Sequence, residues 1–217
     1  MTNAQLDVAL WYLGRGSGVV ALVLLTASVL LGIVTRSGRP LPGLPRFAVA
    51  EVHRSIGLLS VAFLAVHVLT LTLDPKAQMR WLNVIIPFVS SWRPLWTGLG
   101  TLALDLLVAL LVTSLLRERL GHVVWRAVHW ASYALWPFAV LHTLGSGTDI
   151  GHGWLTLVLG ACVLAVALAG VWRLSDWFLD PSDRLPGSKR PQPSQRTQPP
   201  QPSQRQRTSY PEATFRR

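Results

Sequence analysis

The chain has 217 residues, half of them hydrophobic and only 14% charged, with a mean hydropathy of +0.38, whereas a soluble domain of this size carries about 25% charged residues. The charges cluster between long apolar runs, which excludes an ordinary soluble domain and predicts an all-α integral membrane protein. The net charge of +10 does not point to nucleic acid, because the basic residues fall in loops and in a Pro/Gln tail instead of on one folded face; the single cysteine, Cys162, excludes a disulfide framework and a thiolate metal site.

A helix needs about 20 apolar residues to cross the hydrocarbon core. Five stretches meet this in chain order: Leu13–Val34, Phe47–Leu73, Thr97–Leu116, Val123–Leu144 and Gly153–Leu174. The first is long enough to span and has no small-residue cleavage site after it, so no cleaved leader is expected. Between the second and third lies QMRWLNVIIPFVSSWRP (Gln78–Pro94), which proline breaks too often for a span and which reads as an interfacial or re-entrant segment. Residues 1–175 are thus expected to form a bundle of about five transmembrane helices. Residues 176–217, with PQPSQRTQPPQPSQRQRT, read as a disordered basic Pro/Gln-rich tail.

Loop charge sets the expected orientation. Arg36, Arg39 and Arg46 occupy the first loop, Arg117 and Arg119 the third, and Arg184, Lys189 and Arg190 begin the tail's basic run. The other side holds Arg15, Lys76, Arg80 and Arg93, with Asp149 but no Lys or Arg in the fourth loop. The heavier side is expected to be cytoplasmic, with the N-terminus outside and the C-terminus inside. Tryptophans near span ends (Trp11, Trp96, Trp125, Trp154, Trp172) suit an interfacial aromatic belt.

Four of the six histidines fall inside spans: His53 and His67 on the second, His129 and His142 on the fourth. An ionisable side chain inside a membrane is costly and calls for a function. One span intervenes, so the two helices run in the same direction, with His53 and His129 near their cytoplasmic ends and His67 and His142 at a matched depth nearer the outer face. Fourteen residues separate His53 from His67 by roughly 21 Å, too far for one cofactor and suited to two stacked ones. Each cross-helix pair can hold one iron, as bis-histidine ligation of haem requires. A zinc site would want three or four ligands at one depth, and none is visible. A step of 14 returns nearly to the same helix face, while the step of 13 from His129 to His142 misses by about 140°; Pro137, between them, would restore alignment through a kink or a change of winding. The alternative is a set of neutral histidines hydrogen-bonded within the bundle.

The stretches HRSIGLLSVAFLAVH and HWASYALWPFAVLH resemble the haem-binding helices of the ferric-reductase-like transmembrane domain family, which includes the membrane halves of NADPH oxidases and ferric reductases and the haem subunit of bacterial methionine-sulfoxide reductase. The resemblance covers roughly residues 13–175 and rests on the paired spacings of 14 and 13 found in the oxidases. It implies two haem b groups, the inner on His53 and His129 and the outer on His67 and His142. The sulfoxide-reductase subunit has arginine where this chain has His53, so the two-haem pattern is the nearer match. The oxidases and eukaryotic reductases continue into a flavin and nicotinamide domain; here about 37 residues follow Asp180, after the last span, without a Gly-rich strand–turn–helix. The expectation is therefore a cytochrome of the bacterial inner (plasma) membrane that relies on a flavoprotein or quinol donor and an outer acceptor such as ferric iron, oxygen or a redox protein. A non-redox transporter using the histidines as a metal or proton relay, and an anchor subunit for a redox partner, are the alternatives.

Further side chains are read against this scheme. Arg54, beside His53, and Arg126, one turn before His129, are candidates for the inner propionates, with positive-inside anchoring as the plainer role. Arg15 is the candidate at the outer haem, with Gly14 and Gly18 offering a surface for close helix approach. Asp105, alone among acidic residues well inside a span, is expected to pair with Arg15 or to serve a proton route. His122 and His152 are expected to be solvated at loop edges, Trp130, Tyr133 and Trp136 to pack or anchor, and Cys162 to be a buried small hydrophobe.

Overall fold

The computed structural model describes residues 2–37, 45–77, 79–147 and 153–175. The chain divides into Met1–Asp180 and Pro181–Arg217, and every described residue belongs to the first unit. Arg39, Asp149, His152 and the tail from residue 176 lie outside the described residues.

Among the described residues all regular structure is helical: α1 (Asn3–Ser37), α2 (Arg46–Leu73), α3 (Trp81–Ile85), α4 (Pro94–Leu115), α5 (Arg117–Trp130), α6 (Ser132–Ser146) and α7 (Gly153–Leu174). Four of them, α1, α2, α4 and α7, are long and apolar enough to cross a membrane. This is an all-α, multi-pass membrane protein, as the apolar runs predicted. The predicted fourth span is realised differently, as α5 and α6 in succession, each too short to cross alone.

The break falls at Ala131, six residues before Pro137. Ala131 N–H reaches back only three residues, to the Val128 carbonyl at 2.9 Å, a 3₁₀-type tightening. Pro137 sits inside α6 without ending it. A second interruption comes at Gly121, whose φ of 77° only a residue lacking Cβ adopts readily; the predicted loop around Arg117 and Arg119 is thereby the first turn of α5.

The helices associate as two close pairs, α1 with α2 and α4 with α6, while α7 packs on α1. Small residues permit this, as expected where lipid tails are as apolar as any side chain. Gly14 lies against Thr70 and Leu71 of α2, Gly18 against His67, and Gly57 faces Ser28. The predicted Gly14/Gly18 contact surface is therefore present. On the other pair, Gly145 of α6 receives the Trp96 ring of α4. The histidine-bearing helices α2 and α6 scarcely touch each other, which leaves a space between the two pairs.

Polar ties cross that space or close its ends. Trp136 Nε1–H of α6 donates to Thr26 Oγ1 of α1 at 3.0 Å. The interfacial segment docks α3 on α4 through Thr101 Oγ1–H, which donates to the Asn83 carbonyl at 2.8 Å. Its return into α4 needs positive φ at Phe88 (67°) and Arg93 (41°), and the Arg93 guanidinium donates to the Gly145 carbonyl at the end of α6. Arg173 of α7 donates to Tyr133 Oη and lies 5.8 Å over the Trp130 ring, so Trp130, Tyr133 and Trp136 all serve packing and anchoring. Cys162 is buried. Replacing Trp136 by Phe removes the donor to Thr26 and should lower stability by roughly 0.5–1 kcal/mol; reversible unfolding in mixed micelles measures it, and an unchanged midpoint would show that the bond contributes nothing.

Candidate functional site

The local sequence around His67 and His142 is apolar and helix-forming, so an imidazole there has no polar side chain nearby in sequence to satisfy its N–H; His53, beside Glu51, Arg54 and Ser55, and His129, three residues after Arg126, stand in more polar sequence. The fold provides main-chain carbonyls from the paired helix instead. His67 Nδ1–H donates to the Gly14 carbonyl at 2.6 Å, and His53 Nδ1–H donates to the Ser28 carbonyl at 2.9 Å. On the other pair, His142 Nδ1–H donates to the Trp96 carbonyl at 2.9 Å. A carbonyl only accepts, so in all three rings the proton is on Nδ1 and the lone pair is on Nε2. This is the tautomer a metal-ligating histidine needs, with its second nitrogen bonded to the main chain.

His67 and His142 face each other across the gap between the helix pairs. Their ring centroids are 6.4 Å apart and their planes stand at 82°. A metal bound to one nitrogen of each ring at about 2.0–2.1 Å places the ring centres roughly 6.3 Å apart, so this spacing suits one ion held between two axial imidazoles. Among the described residues no group of three or more His, Cys, Asp or Glu side chains could hold a metal. A bare ion would thus lack most of its ligands, whereas an iron porphyrin carries its own four equatorial nitrogens. The surroundings are apolar: a partly open cleft is lined by His67 and His142 with Leu25, Leu64, Leu104 and Leu135, and Asn83, Thr97 and Thr101 supply polar spots.

The second pair is less symmetrical. His129 is half-buried on α5. Its ring is stacked on Trp125, with centroids 5.0 Å apart, and among the described residues no carbonyl holds it. Trp125 is stacked in turn on His122 at 5.4 Å. His122 is exposed as expected, but it lies on α5 and its Nε2 accepts from Arg126 at 3.0 Å, so that nitrogen is already engaged.

The remaining predicted residues fall as follows. Arg54 is exposed on α2 beside His53, and Arg126 is exposed on α5 one turn from His129. Arg15 follows Gly14, the residue whose carbonyl holds His67, and its guanidinium lies 4.0 Å over the Trp11 ring. Asp105 is not paired with Arg15: it is exposed on α4, five residues or about 7.5 Å deeper than Gly100, and the ion pair seen among the described residues joins Lys76 to Asp7 at 3.8 Å. The carbonyls of Gly14, Ser28 and Trp96, and the Trp125 stack, were not foreseen from the sequence.

A comparison with family models matches residues 17–140 to the one described as Ferric reductase like transmembrane component. The match covers more than half of the chain and contains His53, His67 and His129; His142 lies two residues beyond its end. No curated protein and no solved structure matches the chain.

Proposed function

We propose that this chain, which belongs to the ferric reductase like transmembrane family, is a b-type cytochrome that passes electrons across the bacterial inner membrane through two haem b groups. The observation that carries the reading is the His67–His142 pair, two facing imidazoles 6.4 Å apart with both Nδ1–H groups committed to helix carbonyls. His67 and His142 would hold one haem, and His53 and His129 the other. Haem, when bound, supplies one-electron redox chemistry.

The chain's own residues do the rest. The carbonyls of Gly14, Ser28 and Trp96 orient the imidazoles and raise their basicity. The leucines of the cleft exclude water and lower the local dielectric, and Trp136, bonded to Thr26, braces the bundle between the two histidine levels. Arg15 is placed to meet propionates at the His67–His142 end, and Arg54 and Arg126 at the other. With the N-terminus outside, the His67–His142 site faces the outer leaflet. The tail from residue 176 lies in the cytoplasm, where a flavoprotein or a quinol serves as donor; ferric iron, oxygen or a redox protein is the acceptor outside.

A reduced-minus-oxidised absorption spectrum of the purified protein, with haem quantified per chain, tests this directly. Two b-type haems per chain are expected, and a colourless, well-folded preparation would refute the proposal. Single changes then assign the pairs: His67→Ala and His142→Ala should each remove the same spectral component, and His53→Ala and His129→Ala the other. Loss of one component by both His53→Ala and His67→Ala would mean that ligands pair along a helix and not across the gap. Because the His67 and His142 rings are nearly perpendicular, their ferric haem should give a highly anisotropic low-spin EPR signal; a rhombic signal typical of parallel rings would show that the rings turn on binding. Deleting residues 185–217 should leave the haem content unchanged.

A further inference from the structure

The three carbonyls that hold imidazoles share a sequence relation. Gly14, Ser28 and Trp96 each stand four residues before a glycine: Gly18, Gly32 and Gly100. In an α-helix the carbonyl of residue i accepts the N–H of residue i+4, and the side chain at i+4 leans back over the preceding turn. A glycine at i+4 therefore leaves that carbonyl open to a neighbour, and its second lone pair can accept another hydrogen bond; at Gly14 the Ser17 hydroxyl, bonded at 2.6 Å to the Leu13 carbonyl, also reaches this oxygen at 3.1 Å.

The imidazoles occupy the space so vacated. A Cβ placed on Gly18 would lie 2.7 Å from His67 Nδ1, and one on Gly100 would lie 2.5 Å from His142 Nδ1. One on Gly32 would lie 3.4 Å from His53 Cε1. Among the other helical glycines, Gly16 and Gly160 would meet nothing within 4 Å, and Gly98 and Gly145 face the rings of Phe88 and Trp96 instead of an imidazole. The register repeats as well. Gly18 and Gly32 are 14 residues apart on α1, as are His53 and His67 on the antiparallel α2. The same step along α4 from Gly100 reaches Ser114, which has a side chain; its Oγ accepts Trp125 Nε1–H at 3.4 Å, and Trp125 carries the stacked His129 ring.

We propose that Gly18, Gly32 and Gly100 are positioning residues, each baring the carbonyl four residues before it so that a facing imidazole is held by Nδ1–H with Nε2 turned toward the haem. The His67–His142 site is held at both rings and the His53–His129 site at one. This rests on the reading of these histidines as haem ligands. The two-seated site has the more basic ligands, which favour ferric iron, so this interaction draws its potential downward relative to the one-seated site. Losing an outer partner of a ligating histidine typically weakens metal binding 10–100-fold.

The experiment uses the full chain in lipid nanodiscs and compares Gly18→Ala, Gly100→Ala and Gly32→Ala with Gly16→Ala as control. Redox titration and low-temperature EPR follow the iron. Haem transfer to apomyoglobin follows retention, and ¹⁵N spectra of histidine-labelled protein in its reduced, diamagnetic state follow the Nδ1–H bonds. Gly18→Ala and Gly100→Ala should each raise the potential and alter the EPR signal of the His67–His142 component alone, speed its haem loss roughly tenfold or more, and remove one hydrogen-bonded Nδ1–H resonance. Gly32→Ala, where the contact is looser and folding is least threatened, should act in the same sense but more weakly on the other component. Unchanged potentials, EPR and ¹⁵N spectra in all three variants would overturn the proposal, as would equal shifts in Gly16→Ala. If the wild-type protein holds no haem, the functional reading fails by itself, and the ¹⁵N spectra of the haem-free chain still decide the seats: three Nδ1-protonated rings, each lost with its glycine, support them, and Nε2-protonated rings refute them.

Discussion

An imidazole inside an apolar bundle must find a partner for its N–H, and in this protein that partner is the main chain of a neighbouring helix. Water is absent at that depth, and an unsatisfied polar group there costs several kcal/mol. The bonds from His67 to Gly14, from His53 to Ser28 and from His142 to Trp96 meet the demand. A helix carbonyl is reachable only when two backbones approach closely, so the requirement fixes which helices pair and where small residues must stand.

The architecture follows from that constraint. The pair α1 and α2 is joined at two levels, and the pair α4 and α6 at one. Each pair satisfies its own imidazole N–H groups through Nδ1 and leaves Nε2 with its lone pair. The space between the pairs stays open because α2 and α6 do not pack on each other, and it is spanned by the Trp136–Thr26 bond. A bundle that packed its histidine helices directly would bury the same rings but leave no room for a cofactor between them.

The two ends of the bundle are built differently. At the His67–His142 end both rings are fixed, and α3 and the Arg93 contact to α6 close the cleft. At the other end His129 belongs to the broken, largely exposed α5 and rests on an aromatic stack with Trp125 and His122. Under the proposed function this difference separates the two haems in ligand strength and in local stability.

Much of this was legible in the sequence, and for identifiable reasons. Apolar run length alone set the spans, so that α2 and α7 fall within a residue of their predicted bounds, because hydrocarbon thickness imposes a fixed length on any helix that crosses it. The residue types that bear function were also plain, since a histidine inside such a run is conspicuous whatever the fold. Three things were decided only by tertiary structure. The fourth path breaks at Ala131 and not at Pro137, because a helix interior accommodates a missing N–H when its neighbours hold it in place, a balance no local pattern records. Asp105 is exposed on α4, because the rotation of that helix is set by its packing on α6. Finally, the groups that fix the histidines are carbonyls, which every residue has; the sequence therefore marked the ligands, and only the docked helices, brought close at Gly14, Gly18 and Gly100, showed what holds them.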